Sequence, residues 1–395
     1  MVSVRVKPAP GNIGVDQFQW FARMRREAPV YVNSRTGAIS VFGYDDTQRV
    51  LSDYASFSSE RGGHAATEEQ AISASMISSD PPRHRRLRNL VTQAFTPRAV
   101  AQLEPRITAI VAELLDQMSA RGQASEEFTD FIEAFAAPLP VTVIAELLGV
   151  PAERRADFRR WSDALVTNGG AGGWAGVAEA QREMAAYFGQ MIARRRTEPR
   201  GDLISHLVAA QIDGQGLTPV ELIGFCVLLL VAGNETTTNL LGGAILTFDE
   251  QPEAWERLRA EPALVPSAVE EVLRYVSPVQ SMFRSVAQET RLGEIVAQPG
   301  QPVVAWIGSA NRDEAQFPDA ERFDIARSPN RHLAFGHGVH FCLGAPLARL
   351  EARIALEALL QRAGRIQVAP DARLDWLEST IVYGVKRLPV ALTPA

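Results

Sequence analysis

At 395 residues the chain exceeds the usual single-domain size, yet its 46% hydrophobic and 22% charged residues fit one packed body and exclude a low-complexity protein. A formal net charge of −6 gives a nucleic-acid backbone little to hold, so nucleic acid is not expected as a partner. The two cysteines, Cys226 and Cys342, are too few and too far apart for a disulfide framework or a cysteine-rich metal cluster, which fits a reducing cytoplasm.

The expected organisation is a single domain over 1–395, with 1–15 a loosely ordered segment that lacks the apolar core of a secretory leader. From 16 to 27, Phe18, Phe21 and Met24 recur at helical spacing, and Pro29 ends the run. Stretches 30–32 and 38–42 read as a β-hairpin, 44–51 as a short helix, and 52–79 as a long irregular loop of the kind that is functional or mobile. Asp80-Pro81-Pro82 starts a helix that sets His84 and Arg88 four apart on one face, two donors able to hold one anionic group. Helical periodicity continues over 97–121, over 126–148 with Pro138 and Pro140 interrupting it, and over 151–167. The glycines of 169–173 predict a flexible connection.

Residues 217–248 predict one helix about 48 Å long, apolar on all faces and therefore central. Its longest apolar run, 222–233, falls short of the about 20 residues a membrane span needs, so no membrane anchor is expected. Within this helix Asn234-Glu235-Thr236-Thr237-Thr238 is polar and β-branched, a poor choice for a buried helix and hence the mark of a functional site. Threonine hydroxyls that compete for backbone carbonyls are expected to open the helix there. Beyond it come a helix at 266–276 with Glu271 and Arg274 three apart, an extended run at 279–284, a strand at 303–307, and a strand at 388–392. The last is placed at a sheet edge because Pro389 cannot donate to a ladder.

The stretch His332 to Gly344 surrounds Cys342 with glycines that permit tight turns and close approach to a flat object. A helical run beginning near Leu343 would direct its positive end at the sulfur and favour the thiolate. One thiolate completes neither a zinc site nor an iron–sulfur cluster, but it suffices as the sole protein ligand of haem iron. The blander reading is an inert cysteine after a glycine turn. The spacing of Phe335, Gly338, His340, Cys342 and Gly344 resembles the haem-binding signature of the cytochromes P450, F-x-x-G-x-[RH]-x-C-x-G.

That resemblance extends from about residue 16 to the C-terminus. It implies a mainly α (α+β) fold, a helix-rich triangular prism with small β-sheets. It also implies haem b (iron protoporphyrin IX), with Cys342 as axial iron ligand and Phe335, Gly336, His340 and Gly344 around it. Arg284 and His340 would reach one propionate and His84 with Arg88 another, while Ala232 and Gly233 would border the cofactor. The run Ala232-Gly233-Asn234-Glu235-Thr236 is similar to the family's oxygen-activating segment, A/G-G-x-D/E-T, with Glu235 as acid and Thr236 as alcohol. From the residues alone, Glu235 could equally pair locally and Thr236 bond back to its own helix. Glu271 and Arg274 resemble the family's buried structural pair, completed by Arg322. Val231, Ala232, Val279, Met282 and Phe283 would line an apolar pocket.

The function implied is a monooxygenase that inserts one oxygen atom of O2 into a C–H bond of a lipophilic small molecule of fatty-acid, terpenoid or steroid type. Electrons would come from a ferredoxin-type partner and its reductase, with Arg83, Arg85, Arg86, Arg98 and Arg106 as a basic docking patch. The alternatives are a peroxide-driven peroxygenase, a non-catalytic haem sensor or carrier, and a helical protein without haem.

Overall fold

In the computed structural model, which describes residues 8–9, 12–60, 73–92, 95–125, 128–166, 173–212 and 214–394, the chain folds into two compact units. One comprises 1–57, 106–138 and 236–395, the other 58–105 and 139–235.

The first unit is built on a sheet in the order Val30–Val32, Ile39–Val41, Pro302–Ala305, Met282–Val286, Phe57–Ser58. The predicted hairpin forms with Val30 opposite Val41, and its turn is held by the Asn33 side chain, which accepts from the Arg35 and Thr36 amides. Ile39–Val41 runs parallel to Pro302–Ala305, and Met282–Val286 runs antiparallel to it, with Arg284 opposite Val303. Alternation puts Ile39, Val41, Val303 and Val286 on a buried face with Val50, Leu51, Phe57, Phe317 and Leu333. Helix Gln17–Glu27 follows strand Asn12–Asp16, which pairs with Pro8–Ala9, so the described part of the N-terminal segment is a short antiparallel ladder. Asp16 caps the helix by accepting from Phe18 and Gln19, and Phe21 packs against Phe42 and Trp306.

Three expectations are corrected in this unit and at its borders. Strand Pro389–Pro394 is the middle strand of a three-stranded sheet, between Ala363–Val368 and Thr129–Asp130. Pro389 is its first residue, where the missing N–H breaks no ladder, and its carbonyl accepts from the Ala369 amide. The stretch expected as one helix over 126–148 contains that edge strand Thr129–Asp130, a π-helical turn Ile132–Ala136 and then helix Pro138–Leu148. Pro138 and Pro140 lie in the first turn of that helix, where amide donors have no intrahelical partner, so they start the helix and do not interrupt it.

In the second unit helix Arg155–Val166 packs on helix Gly173–Thr197 through the rings of Phe158, Trp161, Tyr187 and Phe188. Asp202 caps helix Leu203–Ala209 through the Ser205 amide and pairs with buried Arg195 at 2.6 Å. Helix Arg83–Thr92 begins directly after Asp80-Pro81-Pro82, as predicted, and Asp80 is held by Ser58 and the Ser59 amide. The expected flexible connection lies almost wholly outside the described residues, which resume at 173.

Helix Pro219–Glu250 is continuous over 32 residues and does not open at 234–238. It is long and apolar enough to cross a membrane, and 67% of its most apolar window is buried inside the protein, as for a core helix. Thr238 sends its hydroxyl to the Ala136 carbonyl at 3.2 Å, away from its own helix, and Thr247 bonds back to Gly243 without displacing a turn.

Candidate functional site

The cysteine loop lies in the first unit. Its entry is fixed by a hydrogen bond from the Cys342 amide to the Phe335 carbonyl at 2.9 Å. Gly336 and Gly338 both adopt left-handed conformations, with φ of 72° and 71°. At Gly338 a side chain is excluded twice over, because a Cβ would also stand 2.8 Å from the Ser52 Cα. Gly344 caps helix Ala345–Arg362, and a Cβ there would lie 3.9 Å from the Cys342 sulfur. The thiol therefore sits just before a helix N-terminus, exposed, on a backbone that only glycines allow. Cys226 differs in every respect: it is 0% exposed, and burial pushes its thiol far above the ordinary range, so it is core packing. Among the described residues no group of three or more His, Cys, Asp or Glu can hold a bare metal ion. A lone soft donor fits iron whose remaining ligands come from a macrocycle.

The loop's foundation is the helix Val265–Val276. Glu271 and Arg274, both 0% exposed, meet in a bidentate pair at 2.8 and 2.8 Å. The remaining donors of Arg274 go to the carbonyls of Asn311, Ala320 and Arg322, and Glu271 also accepts from the Asp324 amide, Asn330 and Arg327. The arginine that completes the pair with its side chain is thus Arg327, 3.2 Å from Glu271, and not Arg322. Arg322 is exposed and contributes a backbone carbonyl, because the turn that carries it directs the main chain inward. Beside Glu271, Glu270 holds Arg349 at 2.7 Å and His332 at 3.1 Å, and these contacts keep its carboxyl down at about 2 against the effect of burial. Sequence reasoning missed Glu270, Arg327 and Arg349; Glu270 left a faint signal as the neighbour of Glu271.

Arg284, 7% exposed, sits on strand Met282–Val286, donates to the Phe283 carbonyl at 2.8 Å and follows the partly exposed Met282 and Phe283. Val279 is also partly exposed, and so is His340 in the cysteine loop.

The central helix is buried on nearly every side over 221–248, with one exception. Leu229, Ala232, Gly233 and Thr236, spaced at three and four, form an open stripe whose most exposed residue is Ala232, and the partly exposed Val231 lies off it. Glu235 (8% exposed) and Asn234 lie behind it. Gly233 has a packing reason of its own: a Cβ there would come 2.5 Å from Ile144. In the second unit His84 is 2% exposed. Burial first, and then the neighbouring Arg88 guanidinium, lower its pKa to about 4, so at neutral pH it is an uncharged ring beside a cation. Of the expected basic patch, Arg83 and Arg86 both pair with Glu221 and Arg106 pairs with Glu113, while Arg85 and Arg98 are exposed.

Comparison with known proteins gives a consistent result. The family described as Cytochrome P450 matches residues 14–151 and 174–370. "Cytochrome P450 109" of Bacillus spizizenii is 44% identical, covering 95% of this chain and 92% of its own length. Erythromycin C-12 hydroxylase of Saccharopolyspora erythraea is 42% identical over 94% of this chain and 93% of its own. Among solved structures, CYP109E1 from Bacillus megaterium in complex with testosterone superposes with a TM-score of 0.87 at 42% identity, covering 94% of this chain and 97% of that one.

Proposed function

The chain belongs to the cytochrome P450 family, has its fold, and is a haem-dependent monooxygenase of lipophilic small molecules that uses O2; on that premise we propose how its own residues serve the reaction. The observation that carries the proposal is Cys342, an exposed thiol ahead of a helix N-terminus on a glycine-built loop. Cys342 is the protein's single ligand to the iron of haem b, and Phe335, Gly336 and Gly344 shape the backbone against the ring. When bound, haem supplies the redox chemistry that splits O2.

Arg284 and His340 hold one propionate and His84 with Arg88 the other. Arg284 brings a largely buried guanidinium, and His84, uncharged at neutral pH, brings a ring N–H beside the Arg88 guanidinium, donors whose chemistry suits a carboxylate. Ala232 and Gly233 present the open stripe of the central helix to the cofactor. Thr236, on the same stripe, holds a proton on its hydroxyl oxygen, and Glu235 directly behind it resupplies that proton from its carboxyl. Val231, Val279, Met282 and Phe283 exclude water and orient the substrate. The substrate is a lipophile of steroid, terpenoid or fatty-acid type. Steroids come first, because CYP109E1 has been seen with testosterone and corticosterone, and macrolides join the class through the erythromycin hydroxylase. The electron donor is a ferredoxin-type protein with its reductase, docked by exposed arginines such as Arg85 and Arg98. Two cysteines that form no disulfide support a cytoplasmic site.

Titration of the ferric protein with steroids, terpenoids, fatty acids and macrolides, read at the haem Soret band, tests the assignment. A saturable spin-state shift with one class is expected, followed by hydroxylation of that compound with a surrogate ferredoxin system. A shift by no class would overturn the substrate assignment. Binding without turnover by any surrogate donor would favour the sensor or carrier reading.

A further inference from the structure

Three segments of the first unit converge on Phe335 through one charged pair. Glu270, on helix Val265–Val276, accepts from Arg349 Nε at 2.7 Å and Nη2 at 2.8 Å, and Arg349 belongs to the helix that follows Cys342. The Glu270 carboxylate also contacts His332 Nε2 at 3.1 Å. Nδ1 of that ring accepts from the Ala334 amide at 3.2 Å, so His332 carries its proton on Nε2 and donates it to Glu270. The Arg349 guanidinium lies 4.5 Å from the centroid of the Phe335 ring, and the Phe335 carbonyl accepts from the Cys342 amide at 2.9 Å.

Support of the loop alone would not call for this pair. The neighbouring Glu271–Arg274 pair already ties the helix to the 311–330 segment, and it is fully buried. Glu270 and Arg349 are by contrast 28% and 37% exposed, a poor place to gain stability from an ion pair. What distinguishes them is position: one residue before Glu271 on the same helix, a carboxylate meets a cation stacked on the residue that closes the cysteine loop.

We propose that Glu270 and Arg349 are positioning residues that tune the Cys342 thiolate, Arg349 presenting positive charge through the Phe335 ring and Glu270 holding and partly offsetting that charge. The proposal rests on Cys342 as the haem ligand. A positive charge near the thiolate withdraws electron density and favours the reduced iron, and a negative one does the reverse.

The test is the ferric/ferrous midpoint potential of Glu270→Gln, Arg349→Gln and the double variant, at matched haem content, with the Soret position of the ferrous–CO complex as a second readout. Glu270→Gln, with Arg349 uncompensated, is expected to raise the potential. Arg349→Gln, with the carboxylate uncompensated, is expected to lower it. Each shift should change the ferric-to-ferrous ratio at fixed potential about fivefold, and the double variant should return close to the parent. A merely structural role would move both single variants the same way. Shifts of one sign, no shift at full haem content, or failure of either variant to load haem would each overturn the proposal. A parent protein whose ferrous–CO spectrum is not of thiolate type would instead defeat the ligand assignment itself.

Discussion

Removal of Glu271 isolates the scaffold beneath the cysteine loop. In Glu271→Ala the fully buried Arg274 keeps three carbonyl acceptors but loses its only counter-charge, at 2.8 Å, and such an uncompensated buried charge destabilises by about 3–5 kcal/mol. The Asp324 amide and Asn330 also lose their acceptor, adding about 1–3 kcal/mol between them. The expected total of about 4–8 kcal/mol rivals the whole stability of a typical domain. Glu271→Ala should therefore yield little folded protein and no haem uptake, whereas Arg327→Ala, which removes the 3.2 Å contact to Glu271 and the donors to the Pro318, Asp319 and Arg322 carbonyls but leaves the Glu271–Arg274 pair intact, should cost about 2–3 kcal/mol. Arg322→Ala keeps the backbone carbonyl that Arg274 uses and should change stability by less than about 0.5 kcal/mol. Denaturant unfolding and haem content of the three variants provide the assay. If Arg322→Ala destabilised as much as Arg327→Ala, the placement of the third arginine would be wrong; if Glu271→Ala unfolded like the parent, so would the energetic reasoning.

Further expectations follow from single positions. Gly338→Ala combines a φ of 71° with a Cβ 2.8 Å from the Ser52 Cα and should cost about 2–4 kcal/mol with impaired haem loading; Gly300→Ala, at φ 85° with open space around it, should cost only about 1–2, and equal melting-point losses would refute the clash. Thr236→Ala should leave substrate binding intact while product formed per NAD(P)H consumed falls several-fold, and unchanged coupling would remove Thr236 from proton transfer. His84 has a folded-state pKa of about 4, depressed from its ordinary 6.5, so the unfolded chain takes up the proton first as pH falls. The haem-free protein should accordingly lose up to about 3 kcal/mol between pH 6.5 and 4, and His84→Gln should flatten that part of the pH–stability curve.

Local geometry around the candidate site was legible wherever a short-range rule fixes it. The glycine spacing around Cys342 announces a strained loop, and Gly336 and Gly338 do adopt left-handed backbone. Glu271 and Arg274 meet because residues three apart share a helix face. What the sequence could not supply was set by distant partners. Arg327 and not Arg322 reaches Glu271, because the 319–330 segment turns in ways dictated by its packing. Pro389 sits in a central strand because its register leaves the missing N–H at the first residue. In the central helix, which stays closed at 234–238, the Thr238 hydroxyl goes to the carbonyl of Ala136, roughly a hundred residues earlier. Local propensity was right about which stretch is unusual and wrong about how the chain accommodates it.

The most direct test of the account is the ferrous–CO spectrum of the purified, haem-loaded protein beside that of Cys342→His. The account predicts a thiolate-type Soret band in the parent that is lost in the variant while bound haem remains detectable. An unchanged band in the variant, or a parent that takes up no haem at all, would contradict it.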